Sequence, residues 1–151
     1  EYEHTLRALF SRELANSMVT PFEMLTVDHA GNYSTFSPEL LNARMPDGRL
    51  MQMGNVHDST LSFESALRSA GDWTHAIASG VERCRSTCSF FDMCGGGSPS
   101  NKLAEHGDFD TTETVFCRMG TQAPLRAMIR YLQEKLSNGS IECVNPSAAI
   151  L

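Results

Sequence analysis

The first 83 residues contain no cysteine, although the chain has five. Within these 151 residues there is no apolar run near the ~18 residues of a membrane span, and no series of residues typical of a secretory signal. Cationic side chains are scarce, with 12 Lys and Arg against 18 Asp and Glu, and the formal net charge is −6. Because broad attachment to nucleic acid needs a cationic excess, the sequence predicts neither a nucleic-acid nor a membrane partner.

The composition is that of an ordinary folded domain, with 41% hydrophobic and 20% charged residues. A chain of this length can bury roughly 70% of its unfolded surface around one core. It begins with EYEHTLRALF and has no initiator methionine. We therefore expect either a processed protein or a piece of a longer one, and a function inferred from it can belong to a larger parent.

The pattern of apolar and turn residues predicts a small α+β fold. Two β-prone stretches, residues 22–27 and 32–36, flank turn residues that include Gly31, which predicts a β-hairpin. Apolar residues at helical spacing predict helices over residues 2–17, 62–70, 73–83 and 124–136. Residues 84–110 are rich in Gly, Ser, Asn and Asp and are predicted to form a long irregular loop before the C-terminal helix.

The five cysteines all lie in the second half of the chain. A secreted disulfide scaffold usually has an even number of cysteines spread over a short chain, so this clustered odd set favours a metal or cluster site in a reducing compartment. The spacing is C-x3-C-x5-C-x22-C, which can supply three near ligands and one distant ligand. We predict these ligands to be Cys84, Cys88, Cys94 and Cys117, and we expect Cys143 to be a free thiol.

The spacing alone leaves two kinds of centre open. Structural zinc commonly takes four cysteines, but usually as two close pairs, whereas Cys117 stands alone. An iron–sulfur cube is larger than one ion and accepts a looser set of four thiolates. Gly95 to Gly97 could turn backbone N–H groups toward an anionic cluster, or could simply form a flexible turn.

A longer stretch carries a resemblance to a known family. Residues 84–118, CRSTCSFFDMCGGGSPSNKLAEHGDFDTTETVFCR, resemble the C-terminal segment of SPASM-type radical SAM peptide maturases. The resemblance is strongest to a branch with a CGGG-x-P-x-NK-x2-E signature followed by ET-x2-CR, which includes enzymes that form cyclophane crosslinks. Upstream, GNYSTFSPELL (31–41) and MGNV (53–56) also resemble this branch, so that the likeness covers residues 22–118.

The resemblance implies a division of the chain and a function for it. Residues 1–20 would connect to a radical SAM barrel outside this chain, 21–120 would form a SPASM-like auxiliary cluster domain, and 121–151 a C-terminal helix and tail. The domain would hold one [4Fe–4S] cluster on the four predicted cysteine ligands. It would serve an oxidoreductase that crosslinks side chains of a ribosomally made precursor peptide in the bacterial cytoplasm, by accepting an electron and ordering the substrate channel.

Departures from the family pattern limit what this chain could do by itself. The first cysteine gap is x3 where the family has x2, and Ser98 stands where a ligand of a second auxiliary cluster would be. No C-x3-C-x2-C motif is present, and 83 residues before the first cysteine are too few for a barrel. S-adenosylmethionine and a second [4Fe–4S] cluster would therefore belong to the rest of the parent, and no catalytic residue is assigned here.

Three residues of the NK-x2-E signature are further candidates. Asn101, Lys102 and Glu105 could orient a substrate or brace the cluster loop, and they could equally be surface residues.

An alternative function uses the same four cysteines without iron. In that case the chain would be a non-catalytic, zinc-stabilised interaction module.

Overall fold

The computed structural model describes residues 16–60 and 62–139. A three-stranded antiparallel sheet of order β1-β2-β3 is formed by β1 (Leu25–Val27), β2 (Asn32–Thr35) and β3 (Gly54–Asn55). Thr26 pairs with Ser34 in the first ladder, and Tyr33 pairs with Gly54 in the second. The predicted hairpin is confirmed. Of the helix predicted over residues 2–17, all but the last two residues lie outside the described part of the chain.

Turn chemistry explains why the hairpin forms where it does. Gly31 has a φ of +84°, and its N–H donates to the carbonyl of Asp28 at 3.0 Å. The Asp28 carboxylate accepts the N–H groups of Ala30 and Asn32, both at 2.9 Å. Asp28 therefore closes the turn from both backbone and side chain, and only glycine adopts the left-handed conformation at its end without strain.

Within residues 62–139, five α-helices follow the sheet, and a short 3-10 helix at Pro38–Leu40 lies before β3. The helices are α1 (Phe63–Ser69), α2 (Gly71–Thr87), α3 (Phe91–Cys94), α4 (Pro99–His106) and α5 (Ala123–Ser137), and a π-helical turn, Cys117–Gln122, precedes the last. The α+β class and the C-terminal helix are confirmed. The predicted break between the second and third helices is present, but it lies at Ala70, since residues 71 and 72 already belong to α2.

The irregular loop predicted over residues 84–110 is largely helical. Its first residues are the last turn of α2, and α3 and α4 lie within it. Pro99 is compatible with the first turn of α4, and Gly107, at φ +70°, ends that helix with its N–H donating to Leu103. Helices of four and eight residues show little apolar periodicity, so a pattern search finds only their glycines and polar residues.

The core lies between the sheet, the segment leading to β3, and α2. Phe36 and Trp73 form an edge-to-face ring pair with centroids 5.6 Å apart. At Gly80 of α2 a Cβ atom would collide with the carbonyl oxygen of Phe109, so glycine allows the segment after α4 to lie against the helix. The other buried core residues are Tyr33, Leu40, Met51, Met53, Ala66, Ala70 and Ile77.

The chain forms two compact units, Glu1–Val115 and Phe116–Leu151. The first contains the sheet and α1 to α4, and the second contains the π-helical turn and α5. On α5, Leu125 and Met128 are half-buried, whereas Ile129 is 45% exposed. Across the two described ranges, no helix is both long and apolar enough to cross a membrane.

Candidate cysteine centre

Two of the predicted ligands influence the titration of a third. Cys84 is in the last turn of α2 and only 8% exposed, and burial raises the pKa of its thiol. Lys102 opposes this rise, and the Cys94 and Cys88 thiols add to it. Cys88 and Cys94 therefore lie near enough to Cys84 to act on its pKa.

Local backbone structure sets the positions of the second and third thiols. Cys88 follows α2 directly, and its N–H donates to the carbonyl of Cys84 at 2.9 Å. Its own carbonyl accepts the N–H of Phe91 at 3.1 Å, which begins α3, and Cys94 is the last residue of that helix. Both thiols are on half-buried residues. One helix end, one turn and one short helix thus position all three cysteines.

A buried cation lies on the same side of α2 as Cys84. Lys102 of α4 is only 4% exposed, and its Nζ donates to the carbonyl oxygen of Gly80 at 2.9 Å. Gly80 and Cys84 are one helical turn apart and therefore share a face of α2. The Lys102 charge acts to lower the pKa of the Cys84 thiol, but burial outweighs it, so that the pKa is raised overall.

Asp110 is the carboxylate within range of the same lysine. Its pKa is lowered first by hydrogen bonds from Arg83 and Ser79, and further by the charges of Arg83 and Lys102. Arg83 is fully engaged with it, because Nε lies 2.5 Å from one carboxylate oxygen and an NH2 nitrogen lies 3.1 Å from the other. Asp110 is thus paired mainly with Arg83, and Lys102 contributes only a long-range charge.

The glycines after Cys94 adopt a conformation that other residues rarely adopt. Gly95, Gly96 and Gly97 have φ values of +60°, +102° and +73°. Two of their N–H groups are used within the turn itself, because Gly95 donates to the Phe91 carbonyl at 2.8 Å and Gly97 to the Cys94 carbonyl at 3.5 Å. Glycine is needed here for three successive left-handed residues.

Asn16 holds this glycine turn from a distant part of the chain. Its Nδ2 donates to the carbonyls of Cys94, Gly95 and Gly97 at 3.1, 3.4 and 2.9 Å. Its Oδ1 accepts the N–H of Met18 at 3.1 Å, which fixes the orientation of the amide. Nothing in the sequence singles out Asn16, since its partners are backbone carbonyls about 80 positions later.

Ser98 occupies a hydroxyl cluster where the family pattern would have another cysteine. Its Oγ lies 3.0 Å from Oγ of the buried Ser37 and 2.7 Å from Oγ of Ser100. Ser37 belongs to the upstream stretch 31–41 that also carries the resemblance. Residues 31–41 and residues 84–118 are therefore in contact through the hydroxyl groups of Ser37 and Ser98.

The other two signature residues differ from Lys102 in their surroundings. Glu105 is exposed, and its carboxylate accepts the N–H of Val115 at 2.5 Å, which braces the end of the first unit against α4. Asn101 is half-buried. The NK-x2-E signature itself gives no sign that Lys102, unlike Asn101 and Glu105, is fully buried.

The fourth predicted ligand lies in the second unit. Cys117 begins the π-helical turn and is half-buried, and its Sγ accepts a hydrogen bond from Nε2 of Gln122 at 3.6 Å. Oε1 of Gln122 in turn accepts from Arg126 at 3.3 Å. Cys143, the fifth cysteine, lies outside the described residues.

The donor set fits an anionic, thiolate-ligated centre in its chemistry. Cys84, Cys88, Cys94 and Cys117 are thiols and not disulfides. Cysteine thiolates are ligands of both iron–sulfur clusters and zinc, and the Lys102 ammonium offers charge compensation. Within residues 16–60 and 62–139, no group of three or more His, Cys, Asp or Glu side chains is found that could hold a metal ion.

A longer cyanobacterial protein is similar to most of the chain. The chain is 40% identical over 119 residues to a protein of Synechocystis sp., uncharacterized protein sll1766, and this region is 79% of the chain. The matched region covers 30% of that relative, so the chain matches less than a third of the relative's length. No family model and no solved structure matches the chain.

Proposed function

We propose that this chain is the auxiliary iron–sulfur domain of a radical SAM enzyme that crosslinks side chains of a ribosomally made precursor peptide in the bacterial cytoplasm. It holds one [4Fe–4S] cluster on Cys84, Cys88, Cys94 and Cys117. The chemistry of S-adenosylmethionine belongs to the rest of the parent enzyme. The chain is not expected to be active by itself.

The observation that carries this proposal is the buried ammonium of Lys102, which is 4% exposed and bonded to the Gly80 carbonyl one helical turn before Cys84. Its charge favours the anionic form of the Cys84 thiol, which is the form that binds metal, although burial raises the pKa of the free thiol overall. Cys88 and Cys94 are within electrostatic reach of the same sulfur, so the added negative charge of a cluster would lie beside the buried cation. The assignment of Cys117 rests on the sequence spacing.

A bound cluster would supply one-electron redox chemistry. When a substrate carbon radical couples to a second side chain, formation of the new bond releases one proton and one electron, and a cluster held by the four cysteines would supply an acceptor for that electron. The residues of this chain keep the cluster ligated and compensate its charge. Full ligation by cysteine also means that the substrate does not bind to the cluster iron.

The length of the Synechocystis relative agrees with a domain that works inside a larger enzyme. More than two thirds of that relative lies outside the matched region. A barrel of the size that radical SAM chemistry requires is typically about 200 residues or more. The relative has room for such a barrel in addition to the matched domain.

Metal analysis of the chain purified without oxygen tests the proposal. We expect a brown protein with about four iron and four sulfide per chain, since thiolate-to-iron charge transfer absorbs broadly in the visible range. A colourless protein with one zinc and neither iron nor sulfide would overturn the proposal. That result would favour the zinc-stabilised interaction module instead.

Single Cys-to-Ser variants then test the ligand assignment, with the fifth cysteine as the matched control. Replacing any of the four proposed ligands should lower the iron content and increase protease cleavage within residues 84–118, because metal binding and local folding are coupled. Cys143→Ser should leave the iron content unchanged. If Cys143→Ser loses iron and Cys117→Ser keeps it, the fourth ligand has been assigned to the wrong cysteine.

A further inference from the structure

The π-helical turn places two side chains together that an α-helix would separate. In an α-helix, residues five positions apart point about 140° away from each other. Residues 117–122 are instead wound as a π-helix, in which the N–H of Ala123 donates to the carbonyl of Arg118, five positions earlier. This wider turn aligns Cys117 with Gln122, and Nε2 of Gln122 reaches the sulfur at 3.6 Å.

Arg126 fixes which end of the Gln122 amide faces the sulfur. A guanidinium can only donate hydrogen bonds, so the atom it contacts at 3.3 Å must be the amide oxygen. The NH2 group therefore faces Cys117. Arg126 lies four positions after Gln122, which is the spacing of neighbours on one helix face. Gln122 is only 9% exposed, so water competes little for its amide.

We propose that Gln122 is a positioning residue that donates an N–H···S hydrogen bond to the cluster ligand Cys117 and raises the reduction potential of the cluster. This inference rests on the proposed function. A hydrogen bond to a ligand sulfur withdraws electron density and stabilises the more negative, reduced cluster. The π-helical turn is then the structural device that delivers this donor, since an α-helical turn could not.

Removal of the donor has a predicted size and direction. A net hydrogen bond is worth about 0.5 to 1.5 kcal/mol, and only the part that is stronger with the reduced cluster shifts the redox equilibrium, so the change is at most roughly tenfold. For a one-electron couple, a tenfold change is about 59 mV. Gln122→Leu should therefore lower the midpoint potential by up to about this amount, with iron content unchanged.

The experiment compares three variants of the full chain loaded with iron and sulfide without oxygen. Gln122→Leu removes the donor, Gln122→Glu replaces it with an acceptor at nearly the same size, and Gln133→Leu on α5 is the control for the same change elsewhere on the helix. Midpoint potentials come from redox titration followed by electron paramagnetic resonance. We expect a lower midpoint potential in both Gln122 variants and the wild-type midpoint potential in Gln133→Leu.

The possible outcomes separate this inference from the proposed function. Wild-type potential in iron-replete Gln122→Leu and Gln122→Glu overturns the inference and leaves the cluster proposal standing. A wild-type chain that takes up no iron overturns both. If both Gln122 variants lose iron, the melting temperatures of the cluster-free variants are compared with that of the cluster-free wild type. An unchanged melting temperature supports a specific contact between Gln122 and the ligand Cys117. A lowered melting temperature overturns the inference, because Gln122 then stabilises the fold.

Discussion

Nζ of Lys102 lies 2.9 Å from the carbonyl oxygen of Gly80, one helical turn before Cys84. This contact anchors a cation from α4 on the face of α2 that carries a cysteine. It depends on the absence of a side chain at Gly80, where a Cβ would be 3.1 Å from Nζ as well as against Phe109. The position of the Lys102 ammonium on the face of α2 that carries Cys84 therefore depends on glycine at residue 80.

Replacement of Lys102 by methionine should weaken cluster retention more than it weakens the fold. Methionine keeps the length of the side chain but removes the charge, and a hydrogen bond to a charged group is worth about 1.5 to 3 kcal/mol. We expect Lys102→Met to lose iron to a chelator roughly tenfold faster than wild type. The cluster-free chain should melt at nearly the same temperature, because an apolar side chain suits the buried position.

Lys135→Met is the matched control for this change. Lys135 is on α5, where its ammonium lies 5.5 Å from the ring of Tyr131. Its replacement should leave the rate of iron loss unchanged. Equal iron loss from wild type and Lys102→Met would contradict the role given to the buried cation.

Two glycines of the same helix should respond in opposite directions to alanine. A Cβ at Gly80 collides with the Phe109 carbonyl, so Gly80→Ala should lower the free energy of unfolding by about 1 to 3 kcal/mol. A Cβ at Gly71 meets no atom within 4 Å, so Gly71→Ala should raise it by about 0.4 to 1 kcal/mol. Urea unfolding of both variants checks this, and a similar shift in both would refute the close approach at Gly80.

Asn16→Asp should loosen the glycine turn. The aspartate keeps an oxygen for the N–H of Met18 but loses the NH2 group that binds the carbonyls of Cys94, Gly95 and Gly97. We expect a loss of about 1 to 3 kcal/mol and faster hydrogen exchange at residues 95–97. Asn16→Ala should be milder, since it places no negative charge against the carbonyls. Unchanged hydrogen exchange at residues 95–97 in Asn16→Asp would show that Asn16 does not hold the glycine turn in place.

Acid should destabilise the hairpin turn through Asp28. Hydrogen bonds from the Asn42 and Asn32 side chains, and then from backbone N–H groups, hold the pKa of Asp28 far below its usual range. Because the folded pKa lies below the unfolded one, this stabilisation is fully present above about pH 4. It is lost progressively as the pH falls below that value toward the folded pKa.

The slope of stability against pH measures this effect. Asp28→Asn should flatten the change in unfolding free energy between about pH 4 and pH 2, as followed by urea unfolding at a series of pH values. The variant should also be less stable than wild type at neutral pH, where the carboxylate accepts the N–H groups of Ala30 and Asn32. Parallel slopes for the two proteins would show that the turn does not depend on the ionised carboxylate.

Features set by neighbouring residues could be predicted from the sequence. The hairpin follows from the turn chemistry of Asp28 and Gly31. The short helices α3 and α4 were missed because glycine and polar residues dominate their sequence, and four or eight residues are too few for a clear period.

Features set by distant residues could not be predicted. The burial of Lys102 depends on Gly80, which is 22 positions away. The orientation of the glycine turn depends on Asn16, which is 81 positions before Gly97. The π-helical turn at Cys117 was also missed, since intrinsic propensity does not distinguish it from the α-helix that follows.

The hydrogen bonds from Asn16 to the glycine turn have a consequence for the order in which the protein folds. Closing a loop of 81 residues costs more chain entropy than forming the hairpin or α2, whose contacts are local. Three consecutive glycines add a further entropic cost of ordering. The turn after Cys94 should therefore form late, after the sheet and α2 have assembled, and the thiols reach their final arrangement only at the last stage of folding.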